Sequence, residues 1–199
     1  MCITSGSTGE RILADKRTSR IHVILWQERK FSKTQCAEIR DRIGRQGRNV
    51  FLEPAQPAPK GGMSGGVAIA TLKSIGYSAP TILHACVADD GRLLLRHIHG
   101  LLPGGLLCGP VYCPIQRRNK GAQQHLECIQ RLGRVLAKWG RPFVVGKDWN
   151  CTPDDLASTG MPARLQATLV HTRQSHSQRP GVSLSRLLFN QRRVAATDP

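Results

Sequence analysis

Acidic residues are scarce in this chain: 13 Asp and Glu stand against 29 Lys and Arg in 199 residues, a formal charge of +16. The excess is spread along the sequence and is not gathered in one tail, with no block of like charge dominating. A surface this basic attracts polyanions, of which nucleic-acid phosphates are the commonest. Aromatics are also few, with three Trp, two Tyr and four Phe. That number argues against a broad base-stacking platform of the single-strand-binding kind. No two of the seven cysteines form a C-x-x-C pair, and most sit inside apolar runs. They read as small buried hydrophobes in a reducing compartment, not as a zinc site or a disulfide framework. No apolar run approaches the length of a membrane span, and the N-terminus lacks a secretory apolar core. The expectation is an intracellular protein with no membrane partner, nucleus and cytoplasm being indistinguishable.

What is present divides into three stretches. Residues 1–20 are polar and show no clear period; residues 21–170 carry the structural pattern; residues 171–199 are rich in Ser, Gln and Arg, and a polar, disordered segment is expected there. Within the middle stretch, Ile21–Trp26 is a mostly apolar run of strand length. Ser32-Lys33-Thr34-Gln35 has capping-box form ahead of a helix to about Gln46, with Phe31 and Cys36 placed as a hydrophobic staple. Asn49–Glu53 reads as a strand, as does Ser64–Ala70 with its paired glycines. Thr81–Ala88 and Arg92–His99 flank an Asp90-Gly91 hairpin signal. Leu106–Tyr112 is another strand. Asn119–Trp139 is the clearest helix, with Leu126, Ile129, Leu132, Val135, Leu136 and Trp139 on one stripe. A strand from Phe143 follows, and Thr152-Pro153 opens a short helix with Thr as N-cap. Strand–helix, a run of strands, then helix–strand–helix suits a layered α/β protein with mixed sheets.

Two strands end in carboxylates. Glu28 comes two residues after the first apolar strand, and Asp148 two residues after Phe143–Gly146. Carboxylates so placed on different strands meet across a sheet edge and bind Mg²⁺ or Mn²⁺ through oxygen; taken singly, each also reads as a solvated strand end. In Asp148-Trp149-Asn150, residues two apart in extended chain point to one side, which sets an amide beside the carboxylate. Tyr112 ends a strand too, where its phenol either hydrogen-bonds a phosphate or caps the core. His97 and His99 share a strand face without a third ligand in the pattern.

Together these motifs resemble a family. Trp26-Gln27-Glu28, Ser64-Gly65-Gly66-Val67-Ala68-Ile69, Val111-Tyr112-x-Pro114 and Gly146-x-Asp148-Trp149-Asn150 follow the order of the endonuclease/exonuclease/phosphatase superfamily. This superfamily includes DNase I-like nucleases, apurinic endonucleases and retrotransposon endonucleases; the Asp-Trp-Asn-x-x-Pro form is similar to its retroelement-like members. The resemblance spans roughly residues 20–165. It implies a four-layer αββα sandwich of two mixed sheets flanked by helices, incomplete at both termini. It assigns Glu28 to the metal, Asp148 to orienting or deprotonating the attacking water, Tyr112 to catalysis through a phosphate contact, and Asn150 to holding the scissile phosphate and Asp148. The strand-end reading adds Asp148 to the metal, and the Lys147 ammonium beside Asp148 is placed to pair with phosphate or with Asp148. The activity implied is metal-dependent phosphodiester hydrolysis of nucleic acid, DNA in preference to RNA. A non-catalytic nucleic-acid-binding remnant and a phosphatase acting on inositol phosphates or lipids stay open as alternatives. Three departures stand out: residues 1–20 hold no Asn, His171 and His176 lack a preceding Asp, and Lys147 stands where related sequences usually carry Gly.

Overall fold

The computed structural model describes residues 2–3, 20–27, 30–58, 61–79, 91–114, 118–171 and 186–190. Glu28 and the expected hairpin strand Thr81–Ala88 lie outside the described residues. The strands are β1 (Cys2–Ile3), β2 (Val23–Trp26), β3 (Arg48–Glu53), β4 (Gln56–Pro57), β5 (Met63–Ser64), β6 (Val67–Leu72), β7 (Tyr77–Ser78), β8 (Arg96–Ile98), β9 (Leu106–Tyr112), β10 (Phe143–Asp148), β11 (Thr168–His171) and β12 (Arg186–Asn190). Helices α1 (Gln35–Arg45), α2 (Arg118–Trp139), α3 (Pro153–Ser158) and α4 (Met161–Arg164) complete the described elements. Among the described residues, one sheet has the order β1-β2-β6-β3 and a second the order β11-β12-β10-β9-β8-β7; β4 and β5 form a small ribbon. Both large sheets are mixed, since β1 runs parallel to β2 and β10 parallel to β9 while their other pairings are antiparallel.

Side-chain alternation builds the four layers. In β2, Ile24 and Trp26 join Cys36 and Ile43 of α1 in one cluster, whereas Leu25 packs with Val67, Ile69, Leu94 and Tyr112 between the sheets. Strand β6 divides the same way, Ala68 and Ala70 toward α1 and Val67 and Ile69 toward the other sheet. In the second sheet Leu107 and Val111 of β9 and Phe143 and Val145 of β10 meet Ile129, Leu132, Val135 and Leu136 of α2. Cys108 of β9 and Val144 of β10 face inward against Ile75 and Ile98. Period-two burial of both faces therefore yields helix, sheet, sheet, helix. Each aliphatic side chain buried this fully contributes roughly 1.5–3 kcal/mol. No helix of the described residues is long and apolar enough to cross a membrane.

Several expectations differ in detail, each for a local reason. The first helix starts at Gln35, and Thr34 makes no side-chain cap. Half of the expected box survives, because Gln35 Oε1 accepts from the Ser32 N–H at 2.9 Å. The Gly65-Gly66 pair does not lie within a strand: with φ of 83° and 82° it separates β5 from β6, a conformation that glycine adopts without steric cost. The strand expected over Arg92–His99 is regular only at 96–98. Opposite its missing part lies Pro110, which has no N–H to donate; the Leu94 N–H still reaches the Pro110 carbonyl at 3.3 Å, and an isolated bridge pairs Leu93 with Val111. On α2, Leu126 is 41% exposed while His125 is 3% exposed, so the buried stripe begins one residue earlier than the apolar pattern indicates. Residues 186–190, in the segment expected to lack structure, form β12 between β10 and β11.

Candidate functional site

Strands β9 and β10 are parallel neighbours joined through α2, so their carboxyl ends fall at the same edge of the sheet. The register makes Asp148 the direct partner of Tyr112, and Lys147 the partner of Val111. Tyr112 is 7% exposed and belongs to the cluster between the sheets. Its ring therefore caps the core, and its edge position places it beside Asp148 as well; the two readings of this residue are compatible.

Immediately after β10, Trp149 is 1% exposed and packs into the main core. This anchor fixes the chain on either side of it. Asn150 then turns into the left-handed region at φ 47°, which Asn tolerates better than most residues. The strand alternation expected for Asp148 and Asn150 thus ends at Asp148, because Asn150 is not extended. Instead the Asn150 Nδ2 donates to the Cys113 carbonyl at 2.7 Å. That bond ties the Asp-Trp-Asn turn to the residue following Tyr112. Asn150→Ala should lose both the bond and the left-handed preference, lowering stability by about 1–2 kcal/mol in thermal or urea unfolding. Asn150→Gly, which keeps the backbone freedom, should lose less.

The turn is held from its other side by α3. Thr152 caps that helix, accepting from the Asp155 N–H at 3.1 Å, and the Asp155 carboxylate accepts from the Thr152 N–H at 2.9 Å. Bonds to Thr152, side chain first and backbone second, hold the Asp155 carboxyl below its ordinary value. Helix α2 is tied in through His125, whose Nδ1–H donates to the Pro114 carbonyl at 2.9 Å.

A chain of backbone bonds brings the first sheet to the same edge. The Lys30 N–H reaches the Gly65 carbonyl at 3.3 Å, the Gly66 N–H the Gly91 carbonyl at 2.8 Å, and the Tyr112 N–H the Arg92 carbonyl at 2.8 Å. In sequence these bonds join the segment after β2, the glycine turn before β6, the segment before β8 and the end of β9. The register of β9 with β10 then reaches Asp148. The four motifs that are far apart in sequence share one edge. Gln27 and Lys30 are described at that edge, and Glu28 lies outside the described residues.

Arg92 is a further candidate that motif reading missed. Its guanidinium carbon stands 5.5 Å from the centre of the Tyr112 ring, and its Nη2 lies 3.4 Å from Ser64 Oγ. A cation over this ring sits where a phosphate near Tyr112 would need charge neutralisation. A lone Arg between two apolar runs carries no spacing signal, so only the fold reveals it. Gln27, fully buried at the end of β2, is the other polar group that the motif named without assigning a role.

Asp148 ends β10 at this edge. Among the described residues no three His, Cys, Asp or Glu side chains gather into a metal-holding group. His97 and His99 are not such a centre; their rings are 4.4 Å apart, and their Nε2 atoms lie 3.1 Å from the Gly104 carbonyl and the Ser78 hydroxyl respectively.

The sequence matches no protein-family model and no curated protein. Solved structures do match. An apurinic endonuclease, LMAP, from Leishmania major superposes with a TM-score of 0.62 at 14% identity, over 94% of this chain and 78% of that one. The human Nocturnin catalytic domain gives 0.60 at 12% identity, over 92% and 74%. An endonuclease/exonuclease/phosphatase family protein from Bacteroides thetaiotaomicron gives 0.59 at 9% identity, over 90% and 73%.

Proposed function

Because the chain carries the DNase I-like endonuclease/exonuclease/phosphatase fold, we propose that it is a metal-dependent phosphodiester hydrolase acting on nucleic acid, DNA in preference to RNA. The observation that supports this most is the pairing of Asp148 with Tyr112 at the parallel strand ends, with the Arg92 guanidinium over the Tyr112 ring. Hydrolysis of a phosphodiester needs an aligned water, neutralisation of the phosphate charge and donors to its equatorial oxygens.

Each need has a candidate residue. Asp148 orients and deprotonates the water that attacks phosphorus; the new P–O bond forms as the bond to the leaving oxygen breaks in line with it. Tyr112, Asn150, Lys147 and Arg92 supply donors and positive charge to the phosphate. Glu28 and Asp148 are the residues that would hold Mg²⁺ or Mn²⁺, which when bound lowers the charge on the phosphate and eases departure of the leaving oxygen. The charge of +16 favours a polyanionic substrate over a small neutral one.

Nicking of supercoiled plasmid tests the proposal. Cleavage is expected with Mg²⁺ or Mn²⁺, should disappear with EDTA, and should fall at least about a hundredfold in Glu28→Ala. Binding of DNA by the wild type without any cleavage would instead make the chain a non-catalytic binder.

A further inference from the structure

A second basic feature lies away from this edge. Among the described residues β3 is the last strand of the first sheet and β7 the last of the second, and a cavity of about 740 Å³ is lined by residues of both. Its walls carry Arg40 and Arg45 from α1, Arg48 from β3, Lys73 from the end of β6 and Arg96 from β8. Of these, Arg40, Arg45 and Lys73 are exposed, while Arg48 is buried and donates from Nη1 to the Ile21 carbonyl at 2.9 Å. Burial holds the guanidinium groups of Arg48 and Arg96 below their ordinary value, with Glu53 acting against that on Arg96. Both remain cationic at neutral pH. Against these five cations Asp41 is the acidic residue among the lining side chains.

Two of the chain's few aromatics meet here. Phe51 of β3 and Tyr77 of β7 bridge the edges of the two sheets, with ring centroids 4.5 Å apart at 70°. Arg96 stands 4.9 Å over the Phe51 ring, and Tyr77 is the exposed member at 41%. The pair closes the gap between the sheets and presents one aromatic to solvent among the cations. A concave, cation-lined cleft with an exposed ring suits a single strand, whose phosphates follow the charge while a base stacks. A duplex, stiff and with its bases already stacked, suits it poorly. The cleft is also separate from the hydrolytic edge. Strand β6 runs from Val67, beside the glycine turn, to Leu72, beside Lys73, about 17 Å at roughly 3.3 Å per residue.

We propose that this cleft binds single-stranded nucleic acid, with Arg40, Arg45, Lys73 and Arg96 on the phosphates and Tyr77 stacking a base. The proposal shares with the hydrolase reading the class of ligand but does not need that reading to hold. Fluorescence anisotropy with a short labelled single-stranded oligonucleotide, in EDTA, tests it. The triple variant Arg40→Glu, Arg45→Glu, Lys73→Glu should weaken binding at least about tenfold and reduce the log–log salt slope by about 2, at about 0.7 for each phosphate no longer neutralised. A charge-matched variant on other exposed positions, Lys138→Glu, Arg141→Glu, Arg164→Glu, should weaken it less than about threefold. Tyr77→Ala should weaken single-strand binding about fivefold or more while leaving inorganic polyphosphate binding unchanged. Equal losses in the two triple variants, an unchanged salt slope in the first, or no effect of Tyr77→Ala would each overturn the proposal. Failure of the hydrolase reading would show differently, as absent cleavage by a wild type whose binding still depends on these residues.

Discussion

Gly109→Ala is expected to destabilise the protein by about 3 kcal/mol or more, the upper range for forcing extra atoms into a packed core. A Cβ at this position would run into the Leu94 carbonyl. The obstacle is backbone, and it belongs to the segment whose N–H bonds the Pro110 carbonyl. Two backbones approach closely here because β9 has neighbours on both sides, β10 and the irregular stretch before β8. Nothing in the φ angle of Gly109 requires glycine, since it does not lie in the left-handed region; the requirement is space. Urea unfolding gives the measurement. A loss below about 1 kcal/mol would mean that Leu94 and Leu95 can retreat from β9 at little cost. The site would feel the substitution too, because Tyr112 is three residues along the same strand.

Asp148→Asn should reduce metal-dependent cleavage by about 10³-fold or more while leaving the melting temperature close to that of the wild type. The expectation follows from the proposed function: the substitution keeps the shape of the side chain and removes the charge needed to activate water, a loss of general-base assistance compounded by loss of a cation ligand. Trp149 and the bond from Asn150 to Cys113, which anchor the turn, are untouched. The decisive readout is cleavage measured beside nucleic-acid binding. Binding within a few-fold of wild type together with lost cleavage places Asp148 in the chemistry. Cleavage within tenfold of wild type would move the chemistry away from the end of β10.

The sequence was most legible where one local rule operated alone. Leu106–Tyr112 reads as a strand and is one with the same ends, since an apolar run closed by Pro leaves little freedom. The apolar stripe of α2 predicts its start within one residue, and Thr152-Pro153 marks the start of α3. The four-layer architecture came from the order of motifs, not from periodicity. What stayed hidden depends on partners distant in sequence. Strand β7 is two residues long and β8 three, too short for alternation to register, and each exists because its neighbour is there. Arg92 gains its place only from the closeness of Ser64 and Tyr112. Asn150 shows a different failure, because it lies two residues past the end of β10, where the rule for extended chain no longer holds. The number of aromatics likewise carries no sign that Phe51 and Tyr77, far apart in sequence, come together among the cations.

The place of β12 has a consequence for how the chain is made. It sits between β10 and β11, antiparallel to both, although it follows both in sequence. As the polypeptide leaves the ribosome, β10 and β11 emerge first and do not pair with each other in the finished sheet. Until Arg186–Asn190 has emerged, the outer side of β10 is an unpaired ladder beside the proposed catalytic Asp148, and β11 has no strand to join. A nascent chain in this condition offers the kind of open edge on which aggregation begins. A release factor or protease acting before residue 186 would therefore leave more than a shorter protein: it would leave the second sheet without the strand that joins its last two members.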